Sequence, residues 1–446
     1  MADGVRGWKQ ACRLPRVETS SQSSKPNTDV CTSELIGAGL RSGYTPGNSR
    51  PLRGPSSVNI ETARPRLPEL TSLRFFAALH VVFFHAFAMK VFTSDGLLRK
   101  ASSIGYVGVS LFFVLSGFIL VYTYAGAPLV AGGFWRARVA RVYPAYLFSL
   151  LVAAPFFFYG ATHLPIPFFQ WAARHMTAAA VLPLVLLQAW VPQGAMSWNP
   201  VAWSLSVEAL FYFLFPFLLP ALAGLSRRGL FAVAGMGWAV SLAITGWYSW
   251  SNPEHLAVVG PDQLTAFWLN VMKFFPLMRL PEFILGMATG LIFLKGKSTA
   301  RIATPLIVGG LIAGALAATF SSQIPFAVLH TSLLAPAFAA IVYGLALQPA
   351  WSKFLRWAPL VLLGNASYSL YLLHSNIMGM YFFGNSGLRH TSPAGIAVAF
   401  AIMFGAAILV FQFIEEPARR KLRGKTELRK PEAPAELRGS STVAAV

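Results

Sequence analysis

The stretch LRFFAALHVVFFHAFAMKVF, residues 73–92, is apolar enough to enter a bilayer, yet it carries Arg74, His80 and His85. An ionisable side chain on a membrane helix is costly, so each marks a candidate functional position. Arg74 and His85 are eleven residues apart, which at 100° per residue returns them to nearly the same helix face. Along the axis they are separated by about 16 Å, roughly half the hydrocarbon thickness. One face of one helix thus carries a cation near one membrane surface and an imidazole deep inside.

The rest of the chain repeats the apolar pattern. Of its 446 residues 55% are hydrophobic and only 12% charged. That composition predicts an all-α, polytopic integral membrane helix bundle. The two cysteines, Cys12 and Cys31, are too few for a disulfide scaffold and match no metal motif. The net charge of +20 raises the question of nucleic acid. The basic residues sit mainly in the tails and in short loops between apolar runs, and no nucleic-acid motif accompanies them, so membrane orientation explains the charge. Residues 1–66 are polar and rich in Ser, Gly, Pro and Arg and read as a disordered cytosolic leader, with no apolar core of a signal peptide. Residues 421–446 read as a disordered basic cytosolic tail.

Apolar segments fall near 72–92, 105–125, 142–160, 177–191, 201–223, 229–250, 274–294, 302–320, 326–347, 359–383 and 394–414. The segment 177–191 is short and contains Pro183. If it does not cross, ten transmembrane helices remain and both termini are cytosolic. The inside loops then hold Arg136, Arg138 and Arg141, then Arg227 and Arg228, then Lys295, Lys297 and Arg301, then Lys353 and Arg356. If it crosses, the Lys and Arg bias is wrong for every later loop, so ten spans plus one partial or re-entrant helix is the expected topology. That topology places His85 about 20 Å above the cytosolic face, His374 about 22 Å above it, and Glu208 about 10 Å below the outer face. All three fall in the outer half of the membrane.

Glu208, in WSLSVEALFYFLFP, has no basic residue at helical spacing, so it needs a partner on another helix. His85 fits: a carboxylate on one ring nitrogen fixes the tautomer and leaves the other as a base. The plain alternative is a structural interhelical hydrogen bond. Glu282 has Arg279 three residues before it and reads as a self-neutralised structural pair. His80 points to another face than His85 and reads as structural, whereas His374 is either a second polar group of the site or a packing residue. Arg138 and Arg141 share a helix face, and a pair of guanidinium groups suits phosphate recognition. Ordinary positive-inside anchoring is the alternative for them, and Arg74 on the same side favours a phosphorylated ligand. The glycines and serines of GYVGVSLFFVLSGF read as close helix packing. No nucleotide-binding glycine loop and no metalloprotease or serine-hydrolase motif is present.

Seven stretches in order resemble the acyltransferase-3 family, the membrane O-acyltransferases related to bacterial O-antigen O-acetylases. They are Arg74 with His85, GVSLFFVLSGF at 108–118, Arg138 and Arg141 followed by VYPAY, WSLSVEALFYFLFP at 203–216, RLPEFILGM at 279–287, LLGNASYSLYLLH at 362–374 and FIEEPARR at 413–420. The match covers about residues 68–420, so residues 67–420 form the expected membrane domain. The resemblance implies ten transmembrane helices in a bacterial cytoplasmic membrane, a cytosolic acyl-CoA co-substrate with no bound cofactor or metal, and an acceptor hydroxyl on a carbohydrate reached from the outer side. It implies His85 as the catalytic residue and the arginine pair as a donor-binding or architectural element. At Ser110 this chain departs from the family, many of whose members have Asp there.

The expected function is therefore O-acyl transfer, acetyl in the first place. His85 would act as general base or as a covalent acyl carrier, and Glu208 would orient it. Arg74, Arg138 and Arg141 would bind donor phosphates, with His374 in the substrate site. Lipopolysaccharide, exopolysaccharide, other glycans and a secondary metabolite all fit as acceptors. The alternative class is a transporter or flippase of a lipid-linked sugar, with His85 and Glu208 as a proton relay.

Overall fold

The computed structural model describes residues 64–91, 96–296, 299–383 and 392–423, which lie in one compact unit beginning at Ala63. The expected leader up to residue 63 and the tail from residue 424 fall outside the described residues. The last residues assigned to the leader are tied to the bundle. Arg64 donates to the carbonyls of Tyr122 and Ala125, and the Pro65 carbonyl accepts from the Tyr122 hydroxyl at 2.8 Å. At the other end, residues 421–423 continue a helix begun at Glu416.

All regular structure among the described residues is helical. The long elements are α1 (Pro68–Ala88), α2 (Gly108–Tyr124), α3 (Ala131–His163), α4 (Met176–Leu184), α5 (Trp203–Ala223), α6 (Arg227–Ser251), α7 (Pro276–Lys295), α8 (Ala303–Thr319), α9 (Ala335–Ala346), α10 (Ala358–Phe383) and α11 (Pro393–Val410). Helices satisfy every interior backbone group within one segment, which is why apolar runs of this length take that form in lipid. Eight helices among the described residues are long and apolar enough to cross a membrane, some of them extended by an adjoining short helix. The protein is an integral membrane protein.

Two of the ten expected spans are of another kind. The segment 326–347 is broken: a helix Phe326–His330 stops at Thr331 and a new one begins at Ser332. Pro336, at the start of α9, lacks an N–H and clashes with the preceding turn, so a single helix cannot run through. The helical stretch Ser332–Ala346 then bends by 94° into a short helix Ala350–Arg356. The other is α10. It has 26 residues, but Ser367, Ser369, His374, Ser375 and Asn376 dilute its apolarity and are buried in the protein. The short segment at 177–191 yields only the nine residues of α4, too few to cross.

Two close crossings set the positions of the functional side chains. At the α2–α7 crossing, a Cβ on Gly286 would stand 2.0 Å from the Val114 carbonyl oxygen, and one on Gly117 2.3 Å from that of Phe283. At the α1–α10 crossing, a Cβ on Gly364 would stand 2.1 Å from the Thr71 carbonyl oxygen. Only glycine lets these backbones meet, as the glycines of the 105–118 stretch led us to expect. Gly364→Ala is therefore expected to lower the melting temperature of the purified protein clearly. Gly309→Ala, with nothing within 4 Å of the new methyl, should leave it unchanged or slightly higher. Equal melting temperatures for the two would show that the α1–α10 crossing is not tight.

Candidate active site

Two neighbouring cavities lie between α1, α2, α3, α5 and α10, the second also bounded by the short helix Phe267–Phe274. The first, about 130 Å³, is lined by Arg74 from α1, Arg138 and Arg141 from α3, Glu208 and Tyr212 from α5, and Tyr368 from α10. The second, about 90 Å³, is lined by His85 from α1, with Tyr106, Trp203, Lys273 and His330. Val109 and Tyr371 line both and form the partition. Helix α1 thus presents Arg74 to one cavity and His85 to the other, as the eleven-residue spacing predicts.

The first cavity holds three guanidinium groups and one carboxylate among its lining residues, so it carries excess positive charge. Arg138 donates to the Tyr124 hydroxyl at 3.2 Å, and its guanidinium lies 5.6 Å from the Phe134 ring centre, 5.7 Å from that of Tyr124 and 5.9 Å from that of Tyr212. This aromatic cradle orients a cation without neutralising it. Its Nε is buried without a hydrogen-bond partner. The Trp135 indole donates to the Tyr212 carbonyl at 3.0 Å and the Tyr368 hydroxyl to the Val142 carbonyl at 2.9 Å, fixing α3 against α5 and α10.

Glu208 is not where the sequence led us to expect it. Its carboxylate accepts from the Tyr212 hydroxyl at 2.5 Å and from Ser116 at 3.3 Å, and it lines the arginine cavity. No contact with His85 is formed. The reason lies in the segment before α5. Residues 188–202 do not run along a membrane surface; they fold back, buried, into the bundle. Gln188 donates to the Ala202 carbonyl at 2.9 Å, and Asn199 to that of Leu372 at 3.0 Å. Tyr371 donates to the Val201 carbonyl at 3.0 Å. Helix α5 therefore begins inside the protein, and Glu208, one turn and a half along it, lines the cavity that holds the arginines.

The partner of His85 is His374. The two rings have centres 5.0 Å apart, with His374 Nε2 3.1 Å from His85 Nδ1. Their protonation follows from their other neighbours. His374 Nδ1 lies 2.7 Å from the Tyr371 carbonyl oxygen and 3.3 Å from that of Leu370. A carbonyl only accepts, so in the neutral ring the proton is on Nδ1 and Nε2 is bare. That bare nitrogen must accept from His85 Nδ1, which also lies 3.0 Å from the Val81 carbonyl oxygen. The His85 proton is thus on Nδ1, facing two acceptors, and its Nε2 keeps a free lone pair. Two backbone carbonyls, through one histidine, make the other a base. Of the three groups expected to meet at one depth, the structure brings His85 and His374 together and leaves Glu208 in the other cavity.

The remaining expectations resolve plainly. His80 Nε2 donates to the Ala101 carbonyl at 2.8 Å and ties α1 to the short helix Leu97–Ser103. Arg279 and Glu282 form a buried ion pair at 3.2 Å, with Arg279 also donating to the His330 carbonyl at 2.8 Å and to Ser110 at 2.9 Å. Ser110 thus serves this pair as a neutral acceptor.

Several groups escaped the sequence reading. Lys273, buried beside His85's cavity, donates to Asn270 at 3.2 Å and lies 4.8 Å from the Phe274 ring centre. A lysine in the apolar run FWLNVMKF was a detectable signal, but the expected span began one residue later. Glu415 is buried on a π-turn, Phe411–Glu415, and accepts from Ser369 at 2.9 Å. A π-turn turns one residue inward out of the α period, so periodicity gave no sign of it.

A contacting histidine pair thus lies beside an arginine-lined cavity in a membrane helix bundle. Residues 67–412 match the acyltransferase-3 family, described as an acyltransferase domain, and the chain belongs to that family and is an acyltransferase. It is 29% identical over 383 residues to the acyltransferase MdmB of Streptomyces mycarofaciens, covering 80% of this chain and 92% of that one. It is 24% identical to the O-acetyltransferase OatA of Staphylococcus aureus over 80% of this chain but only 57% of OatA. It is 27% identical to the exopolysaccharide production protein ExoZ of Rhizobium meliloti over 72% of this chain and 92% of ExoZ. No solved structure matches it.

Proposed function

We propose that this protein transfers an acyl group, acetyl in the first place, from cytosolic acyl-CoA to a hydroxyl of a carbohydrate reached from the outer side of the membrane. The observation that carries the reading is the division of α1 between two cavities, three guanidinium groups in one and a histidine with a free lone pair in the other. The relatives named O-acetyltransferase and exopolysaccharide production protein support the acetyl group and the carbohydrate acceptor. In this reading ten segments cross, with α10 and the broken 326–347 segment completing the eight, and both termini are cytosolic.

Arg74, Arg138 and Arg141 bind donor phosphates by charge-assisted hydrogen bonds. In this reading most of the nucleotide stays outside the first cavity. The thioester reaches onward past Val109 and Tyr371, and the separation of about 16 Å between Arg74 and His85 along α1 lies within the reach of an extended phosphopantetheine arm. His85 Nε2 takes the proton of the acceptor hydroxyl as its oxygen attacks the thioester carbonyl. The C–S bond breaks, the ester forms, and the CoA thiolate leaves and is protonated by the imidazolium. His374 Nε2 accepts from His85 Nδ1 throughout and stabilises that imidazolium.

The test is mass spectrometry of surface glycans from a deletion strain complemented with the wild-type gene or with His85→Ala. An acetyl ester restored only by the wild type supports the reading, and identical glycans in all strains contradict it. Glu208 follows the arginines in this scheme. Glu208→Gln is expected to change the KM for acyl-CoA and leave turnover at saturating donor largely intact, the signature of a group that acts in binding. A collapse of turnover at unchanged donor KM would return Glu208 to the side of His85.

A further inference from the structure

A third cavity, of about 1000 Å³, opens between α6, α7, α8 and α9, away from the catalytic pair. Its walls are mostly apolar, interrupted by Tyr343 and by Thr289, whose hydroxyl is bonded to the Leu285 carbonyl at 2.7 Å, and Arg227 and Thr299 stand at one end. Arg227 opens α6, and Trp238 lines the same cavity eleven residues later. That run is about 16 Å, close to half of the roughly 30 Å hydrocarbon core. On α8 the lining likewise runs from the start of the helix at Ile302 to Ala313. The slot is therefore about one leaflet deep.

Its floor is built. The break that divides the 326–347 segment places Leu333 and Leu334 against the slot, with Ser332 next to them in the chain. Trp238 Nε1 donates to the Ser332 carbonyl at 2.9 Å, and Ser241 and Ser332 hydroxyls bond each other at 2.9 Å. Its mouth is also fixed. Lys295 at the end of α7 donates to the carbonyls of Ala223 at 2.7 Å and Leu225 at 2.6 Å, holding the α5–α6 turn beside Arg227. Arg227 itself is exposed at the entrance.

We propose that this slot binds one anionic phospholipid from the leaflet on the basic, cytosolic side, its acyl chains in the apolar slot and its phosphate-bearing head against Arg227. The depth of one leaflet fits a phospholipid tail and not a membrane-crossing polyprenyl chain, and the basic mouth selects the head. A juxtamembrane arginine adds about 1 kcal/mol to the attraction for an anionic lipid, which is about fivefold in preference. The site is independent of the acyl-transfer reading.

The experiment is native mass spectrometry of the full chain released from nanodiscs of equal phosphatidylglycerol and phosphatidylcholine. The wild type should retain one phosphatidylglycerol. Gly235 lines the slot with nothing within 4 Å of its missing Cβ, so Gly235→Phe should fill the slot and lose the retained lipid. Gly235→Leu is the smaller variant should the phenylalanine prevent folding, and melting temperature reports on both. Arg227→Gln should keep a lipid but lower the preference for phosphatidylglycerol by about fivefold. The proposal is overturned by a wild type that retains no lipid or takes phosphatidylcholine equally. It is overturned as well if folded Gly235 variants retain the same lipid, which would be bulk bilayer lipid adhering without a site.

Discussion

His374→Leu is expected to lower acyl transfer by about 10–100-fold without loss of donor binding. In the proposed mechanism the imidazolium formed on His85 donates from Nδ1 to His374 Nε2, which lies 3.1 Å away in the structure. A hydrogen bond to a charged group contributes about 1.5–3 kcal/mol, and each 1.36 kcal/mol is a factor of ten in rate. Leucine fills space and accepts nothing. His374→Gln can place an amide oxygen near the lost nitrogen and should recover part of the rate. A purely structural His374 would show no such difference between Gln and Leu at matched melting temperatures. Steady-state rates at saturating acyl-CoA on the three purified proteins make the comparison. Equal rates for Leu and Gln, or a Leu variant as fast as the wild type, would remove His374 from the chemistry.

The parts of this molecule that were legible in its sequence are those governed by local rules. Apolar length gave the helices, and the Lys and Arg bias of the loops led to the expectation that 177–191 does not cross, where only the nine-residue helix α4 forms. Helical spacing put Arg138 with Arg141 and set Arg74 and His85 on one face. The i,i+3 spacing gave the Arg279–Glu282 pair. What was not legible depends on where irregular backbone travels. Nothing in residues 188–202 announces a segment that folds into the bundle, yet that excursion moves Glu208 from the imidazole to the guanidinium groups. The His85–His374 contact joins residues 289 positions apart, and a shared depth was the only sequence signal for it. Hydropathy alone does not reveal the break that Pro336 imposes in the 326–347 segment, and that break forms the floor of the lipid slot.

His85→Ala carries the other large expected effect. Removing the base should reduce turnover by about 10²–10⁴-fold. It removes no phosphate contact, because His85 and the arginines line different cavities. The converse holds for Arg138→Ala combined with Arg141→Ala. Charge-assisted contacts of about 1.5–3 kcal/mol each predict CoA binding weaker by about tenfold or more. The two variants should therefore fail in different measurements, one in rate and one in affinity.

The most direct measurement is calorimetric titration of CoA beside labelled acetyl transfer on the same purified wild-type, His85→Ala and double-arginine proteins. The two-cavity account predicts wild-type CoA affinity with lost turnover for His85→Ala, and weakened CoA affinity for the arginine variant. CoA binding abolished by His85→Ala, or unchanged in the double-arginine protein, would contradict it.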